Sequence, residues 1–159
     1  MDKIILYKLI HDQNEKPSLL SVNEYEVCDN IFDEDYGIYI MSHYFHLGDL
    51  DNEHLYVIGT NSRQEIVGII NIALGSYNDV HVYHRNIILF LALSGAKGFA
   101  DYHNHPNNIV CASSDDIVSE AHMTNIANLL EIKHIGSYIL GKNDYIKVGD
   151  TEKQKIVLD

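Results

Sequence analysis

Cysteine is scarce in this chain: Cys28 and Cys111 lie far apart and form no CxxC pair. That excludes a zinc knuckle and a disulfide framework, and it fits a protein of the reducing cytoplasm. Basic residues are also few. Eleven Lys and Arg stand against 23 Asp and Glu, for a formal net charge of -12. The cations are scattered, so no basic patch offsets repulsion from a phosphate backbone, and direct nucleic-acid binding is not expected. Long apolar runs are missing too. "IILFLAL", Ile87 to Leu93, is far shorter than the roughly 20 residues of a membrane helix, so no membrane contact is expected. The apolar N-terminal run has an acidic residue before it, no small-residue cleavage site, and His11 and Asp12 close behind, so it reads as a strand and not a signal peptide. No internal repeat or low-complexity segment is found.

What is present is a globular pattern. With 159 residues, 46% of them hydrophobic, the chain can build one domain with its own core. "KIILYKLI" and "LLSVNEYEV" read as strands around a turn-rich "HDQNEKPS". From Asp29 to Leu47, Ile31, Ile38, Met41, Tyr44 and Phe45 share a helix face, and Gly48 suits a C-terminal stop. "EHLYVIGTNSRQEIVGIINIALG" reads as a hairpin turning at Thr60 to Gln64. "RNIILFLALSGA" predicts an almost wholly apolar helix buried in the middle of the fold. "KGFADYH" predicts a strand, and from Ser113 a helix with Ser113 as N-cap and Ile117, Ala121, Thr124, Ala127 or Asn128, and Leu130 on one face. "HIGSYILG" and "DYIKV" form a last hairpin around Gly141 to Asn143, followed by a polar tail. Strands with three helices predict an α/β or α+β sandwich.

The chemistry concentrates in "ADYHNHPNNIVCASSDD", Ala100 to Asp116. On a strand, His103 and His105 share a face while Asn104 points the other way, and Pro106 ends the strand. Asp116 follows in the first turn of the helix, where the dipole favours a carboxylate. Two histidines and one carboxylate leave a coordination position open, as a catalytic zinc site requires. The alternative is plain: ten histidines make one H-x-H pair unsurprising, and Ser113 to Asp116 has the pattern of a helix start. Spacing alone leaves both readings open.

The wider pattern resembles the RadC-like branch of the JAB/MPN (JAMM) metalloprotease-type domains, from about Asp49 to Val148. Glu53 stands at the upstream glutamate, Gly75 at the glycine and Tyr83 to Asn86 at the H-P-R-E segment. His103 to Pro106 matches H-N-H-P letter for letter, and Ser113 and Asp116 give S-x-x-D, which selects Asp116 over Asp115. The resemblance implies a cytidine-deaminase-like fold, a mixed β-sheet flanked by helices. It divides the chain into an extension (1–48), the domain (49–150) and a tail (151–159).

It further implies one zinc ion held by His103, His105 and Asp116, with a water in the fourth position. Glu53 would be general base and acid, and Ser113 would polarise the scissile carbonyl of a peptide or isopeptide substrate. Other readings are an exposed strand-start glutamate for Glu53, a helix cap for Ser113, and either a structural carboxylate or an acidic substrate group as the partner of Arg85. His81 and His84 flank Arg85 as surface or outer-shell groups, and His122 has no part in the metal. Cys111 is either a soft ligand or a loop-packing residue. Three departures stand out: "NNIVCAS" after HNHP, His84 and Asn86 around Arg85, and Gly136 and Ser137 near the family's Asp-His pair. The competing functions are a domain associated with DNA repair or mobile elements that acts through a partner, and a metal-free interaction module.

Overall fold

The computed structural model describes residues 1–74 and 84–158; Gly75, His81 and Tyr83 lie outside the described residues. Among the described residues eight strands form one mixed sheet. They are β1 (Asp2–His11), β2 (Pro17–Val27), β3 (His54–Thr60), β4 (Ile66–Leu74), β5 (Gly98–Asn104), β6 (Lys133–Leu140), β7 (Asp144–Lys147) and β8 (Gln154–Lys155). Their order across the sheet is β2-β1-β4-β3-β5-β6-β7-β8, with β1–β4 and β5–β6 parallel and the other pairs antiparallel. Both expected hairpins form, β3–β4 and β6–β7, and the expected polar tail contributes β8 through Tyr145–Gln154 and Asp144–Lys155 pairs.

Three α-helices among the described residues cover the sheet: α1 (Glu34–His43), α2 (His84–Ser94) and α3 (Ser114–Leu130). Strand alternation splits the core into two layers. On one face Ile38, Ile40 and Met41 of α1 pack with Tyr56, Ile58, Ala100, Tyr102 and Tyr138. On the other, Ile87, Phe90 and Leu91 of α2 and Met123, Ile126 and Ala127 of α3 pack with Leu55, Val57, Ile70 and Phe99. Every residue of β5 is buried, as expected of a central strand covered on both sides. The result is an α/β sandwich. No helix among the described residues is long and apolar enough to cross a membrane.

Three helix expectations are corrected. Residues 29–33 are not helical, because the β3–β4 turn claims their backbone: Phe32 N donates to Gln64 O, Ile66 N donates to Asn30 O, and Ile31 bridges to Glu65. Helix α1 therefore starts after Asp33, whose carboxylate caps Tyr36 N at 2.7 Å, and ends at Tyr44. Gly48 is not its stop; it lies in a short 3₁₀ turn, Leu47–Asp49. Helix α2 is not buried all round: Ala92 and Leu93 face outward, because only one side meets the sheet. On α3 the expected Thr124, Ala127 and Leu130 face inward, together with Asp116, Ser119, Glu120, Met123 and Ile126, while Ile117 and Ala121 are exposed. Asp116 at its start turns inward toward the histidines, which rotates the apolar face away from Ile117 and Ala121.

Candidate metal centre

The site lies where three segments meet: the C-terminal end of β5, the entry to β3 and the first turn of α3. His103 is fixed between two strands, opposite Leu55 on β3 and Ile139 on β6. His105 follows on the same side, just past the strand. Their Nε2 atoms are 3.3 Å apart. Asp116 reaches both, with Oδ1 at 3.0 Å from His103 Nε2 and Oδ2 at 3.2 Å from His105 Nε2. All three side chains are largely buried. Glu53 completes the group: it, His103 and His105 each offer a ligand atom within 4.8 Å of the others.

The protonation pattern follows from the neighbours. His105 Nδ1 lies 2.8 Å from the carbonyl oxygen of Ile109, which can only accept, so Nδ1 carries the proton. In the neutral ring Nε2 then keeps its lone pair and faces the site, the arrangement found where a histidine binds a metal. The hydrogen bond that Nε2 of the protonated ring donates to Asp116 raises the His105 pKa above its ordinary value; burial works against this and the Ile109 carbonyl supports it. Burial would raise the Asp116 carboxyl, but hydrogen bonds from His103 and His105 outweigh it and hold the acid well below the usual carboxylate range. Glu53 moves the other way. Burial raises it, the two histidines pull it back in part, and Asp116 adds to the rise.

Ser113 caps α3. Its Oγ accepts from Asp116 N at 3.1 Å, and Asp116 Oδ2 accepts from Ser113 N at 2.8 Å. The two readings of the sequence are thus both present: the S-x-x-D start is a capping box, and the same aspartate faces the histidines. Glu53, His105 and Ser113 border a cleft of about 400 Å³, walled elsewhere by Pro106, Ile109 and Ala112. Cys111 is exposed on that cleft and stands outside the ligand group.

Arg85 is exposed on α2, and His84 stacks on His122 of α3 with ring centres 5.0 Å apart. Near Gly136 and Ser137 an acid and a histidine do meet, from other positions. His134 Nε2 and Ser137 Oγ both lie 2.8 Å from Asp101 Oδ1, and Thr124 Oγ1 lies 3.2 Å from His134 Nδ1. Sequence reasoning missed this buried cluster. It also gave no role to Asn104, which is 1% exposed and bonded to the segment carrying Glu53. Only the strand alternation hinted that Asn104 faces inward on the opposite side.

A mixed α/β sheet that brings two histidines and a carboxylate together at a strand end, with a glutamate beside them, defines a protein of the JAB type. The chain matches the RadC-like JAB domain over residues 34–154 and belongs to that family. It is similar to a UPF0758 protein of Desulfitobacterium hafniense, at 28% identity over 62% of this chain and 44% of the relative. A UPF0758 protein of Clostridium kluyveri is 24% identical over 79% of this chain and 53% of its own. One of Listeria welshimeri is 26% identical over 64% and 46%. The chain thus spans about half the length of the curated relatives it matches.

Proposed function

We propose that the chain is a zinc-dependent hydrolase of amide bonds, in a peptide or an isopeptide linkage. The observation that carries this reading is the convergence of His103 Nε2, His105 Nε2 and the Asp116 carboxylate, with Glu53 beside them. Two imidazoles and one carboxylate suit zinc, and one donor fewer than a closed structural site marks a catalytic one. His103, His105 and Asp116 would hold the ion. When bound, it lowers the pKa of water and polarises a carbonyl.

The remaining steps fall to the chain's own residues. Glu53, with its raised pKa, takes a proton from the attacking water and delivers it to the departing amine nitrogen, since a base of pKa nearer neutrality serves both transfers. Ser113 Oγ already accepts the Asp116 amide, which leaves its own O–H to donate to the scissile carbonyl oxygen. The cleft walled by Pro106 and Ile109 leaves room for substrate beside Glu53 and Ser113. A net charge of -12 favours a protein substrate over contact with nucleic acid.

Metal analysis of protein purified without added zinc tests the reading, on the wild type and on His103→Ala/His105→Ala. About one equivalent in the wild type and none in the double variant is expected. Less than roughly a tenth of an equivalent in the wild type, with no gain on adding zinc, would sink it. Glu53→Gln should keep the metal and lose turnover of fluorogenic peptide and isopeptide substrates.

A further inference from the structure

Glu53 lies outside regular structure, on the segment that leads into β3. The β3 ladder begins at His54, which pairs with Leu74, and Leu55 is the first residue opposite β5. Residues 51–53 are bends and coil with no strand partner among the described residues. A carboxylate on such a segment needs another restraint if it is to move protons at a fixed point, because a displacement of about 1 Å can cost a hundredfold in rate.

The side chain of Asn104 supplies that restraint. Its Oδ1 accepts from His54 N at 2.8 Å, and its Nδ2 donates to Asn52 O at 3.0 Å and to Leu50 O at 3.3 Å. These three backbone atoms lie on both sides of Glu53. Asn104 itself is 1% exposed and belongs to β5, between the two histidines and facing away from them. One strand residue therefore ties the Glu53 segment to the rigid element that presents His103. The chemistry is particular to asparagine: the site needs one acceptor and two donors on a short planar group. Aspartate has no donors, and glutamine is one methylene too long.

We propose that Asn104 is a positioning residue that sets the place of Glu53 relative to His103 and His105. The proposal rests on the reading of Glu53 as the proton carrier. It assigns a function to the central residue of HNH distinct from that of either histidine.

The test uses the full chain, zinc alone as the probe, and the variants Asn104→Asp and Asn104→Ala. The first keeps the size and the acceptor but replaces the donors with a carboxylate oxygen, and the second removes the whole group without adding charge; where one variant fails to fold, the other is read. Three quantities are read: bound zinc, amide exchange over residues 50–54, and the change in the Glu53 carboxylate ¹³C resonance on adding zinc. Both variants are expected to bind zinc as the wild type does, because Asn104 touches no ligand. Exchange over 50–54 should accelerate roughly tenfold, as for a lost buried hydrogen bond, and the Glu53 response to zinc should fall to less than about half.

A wild-type Glu53 response in both variants would overturn the proposal. So would loss of zinc together with that response, which marks a general structural role. If the wild type binds no zinc, the functional reading fails by itself. Exchange over 50–54 in the metal-free protein then decides the positioning: acceleration supports it and wild-type protection overturns it.

Discussion

Ser113 and Asp116 bond each other twice: the serine oxygen accepts the aspartate amide at 3.1 Å, and the aspartate Oδ2 accepts the serine amide at 2.8 Å. The same Oδ2 lies 3.2 Å from His105 Nε2. One carboxylate thus closes the first turn of α3 and faces the histidine pair, so the helix start and the site are built from shared atoms.

The two roles separate on substitution. Ser113→Ala removes the cap acceptor and should lower unfolding stability by about 1 kcal/mol, with zinc content unchanged. Asp116→Asn keeps an acceptor for the Ser113 amide but loses the charge that the histidines and the helix dipole favour. It should keep its helix by circular dichroism and lose zinc. Equal zinc loss in both variants would contradict the separation.

Tyr102 fills the layer between α1 and the sheet, and its hydroxyl is buried with no hydrogen-bond partner among the described residues. A Cβ on Gly37 would stand 2.2 Å from that oxygen and 2.7 Å from the Phe32 ring. Gly37→Ala is expected to destabilise the fold by about 1–3 kcal/mol, the usual range for overpacking. Tyr102→Phe discards the unpartnered hydroxyl and should be neutral or stabilising. Combined with Gly37→Ala it should rescue part of the loss, because the Phe32 contact remains. Urea denaturation of the four proteins measures this.

Burial pushes the Tyr36 phenol up to about 12, helped by Tyr44 and Asp29, and raises Tyr102 and Tyr138 further above their ordinary value of 10. A raised folded-state pKa means that the native state holds the proton after the unfolded chain has released it. The stability these groups contribute is complete below pH 10 and is lost progressively as pH climbs from 10 through 12 and beyond. Urea midpoints should therefore fall between about pH 10 and pH 12, with a shallower fall in Tyr102→Phe. An unchanged midpoint over that interval would refute the expectation.

Much of this arrangement was legible in the sequence where a local rule governs. Period-2 alternation located both hairpins and β5, and the N-cap at Ser113 follows from serine chemistry. The misjudged parts depend on distant partners. Residues 29–33 carry helix-compatible spacing, yet the backbone of the β3–β4 turn claims them. The face of α3 is set by Asp116 turning toward residues that precede it by more than ten positions, which no window along the helix registers. Asn104 and the Asp101–His134–Ser137 cluster were invisible for the same reason: a buried polar side chain is explained only by the atoms that satisfy it. For the site, spacing brought out the two histidines and the aspartate, and the family pattern added Glu53. The structure brings all four together, while Gly75 lies outside the described residues.

The cleft wall from His105 to Ala112 is not an independent part. Asn108, at a φ of 58°, accepts from Lys142 N with its Oδ1 at 2.9 Å. A Cβ on Gly141 would stand 2.6 Å from Val110, and one on Gly48 would stand 2.0 Å from the Gly141 carbonyl oxygen. Three stretches far apart in sequence therefore share one joint. For anyone diversifying this loop to change what the cleft accepts, residues 48, 108 and 141 are a single inherited unit. Libraries that hold these three fixed and vary Asn107, Ile109 and Cys111 should yield folded variants far more often than libraries that randomise the whole loop.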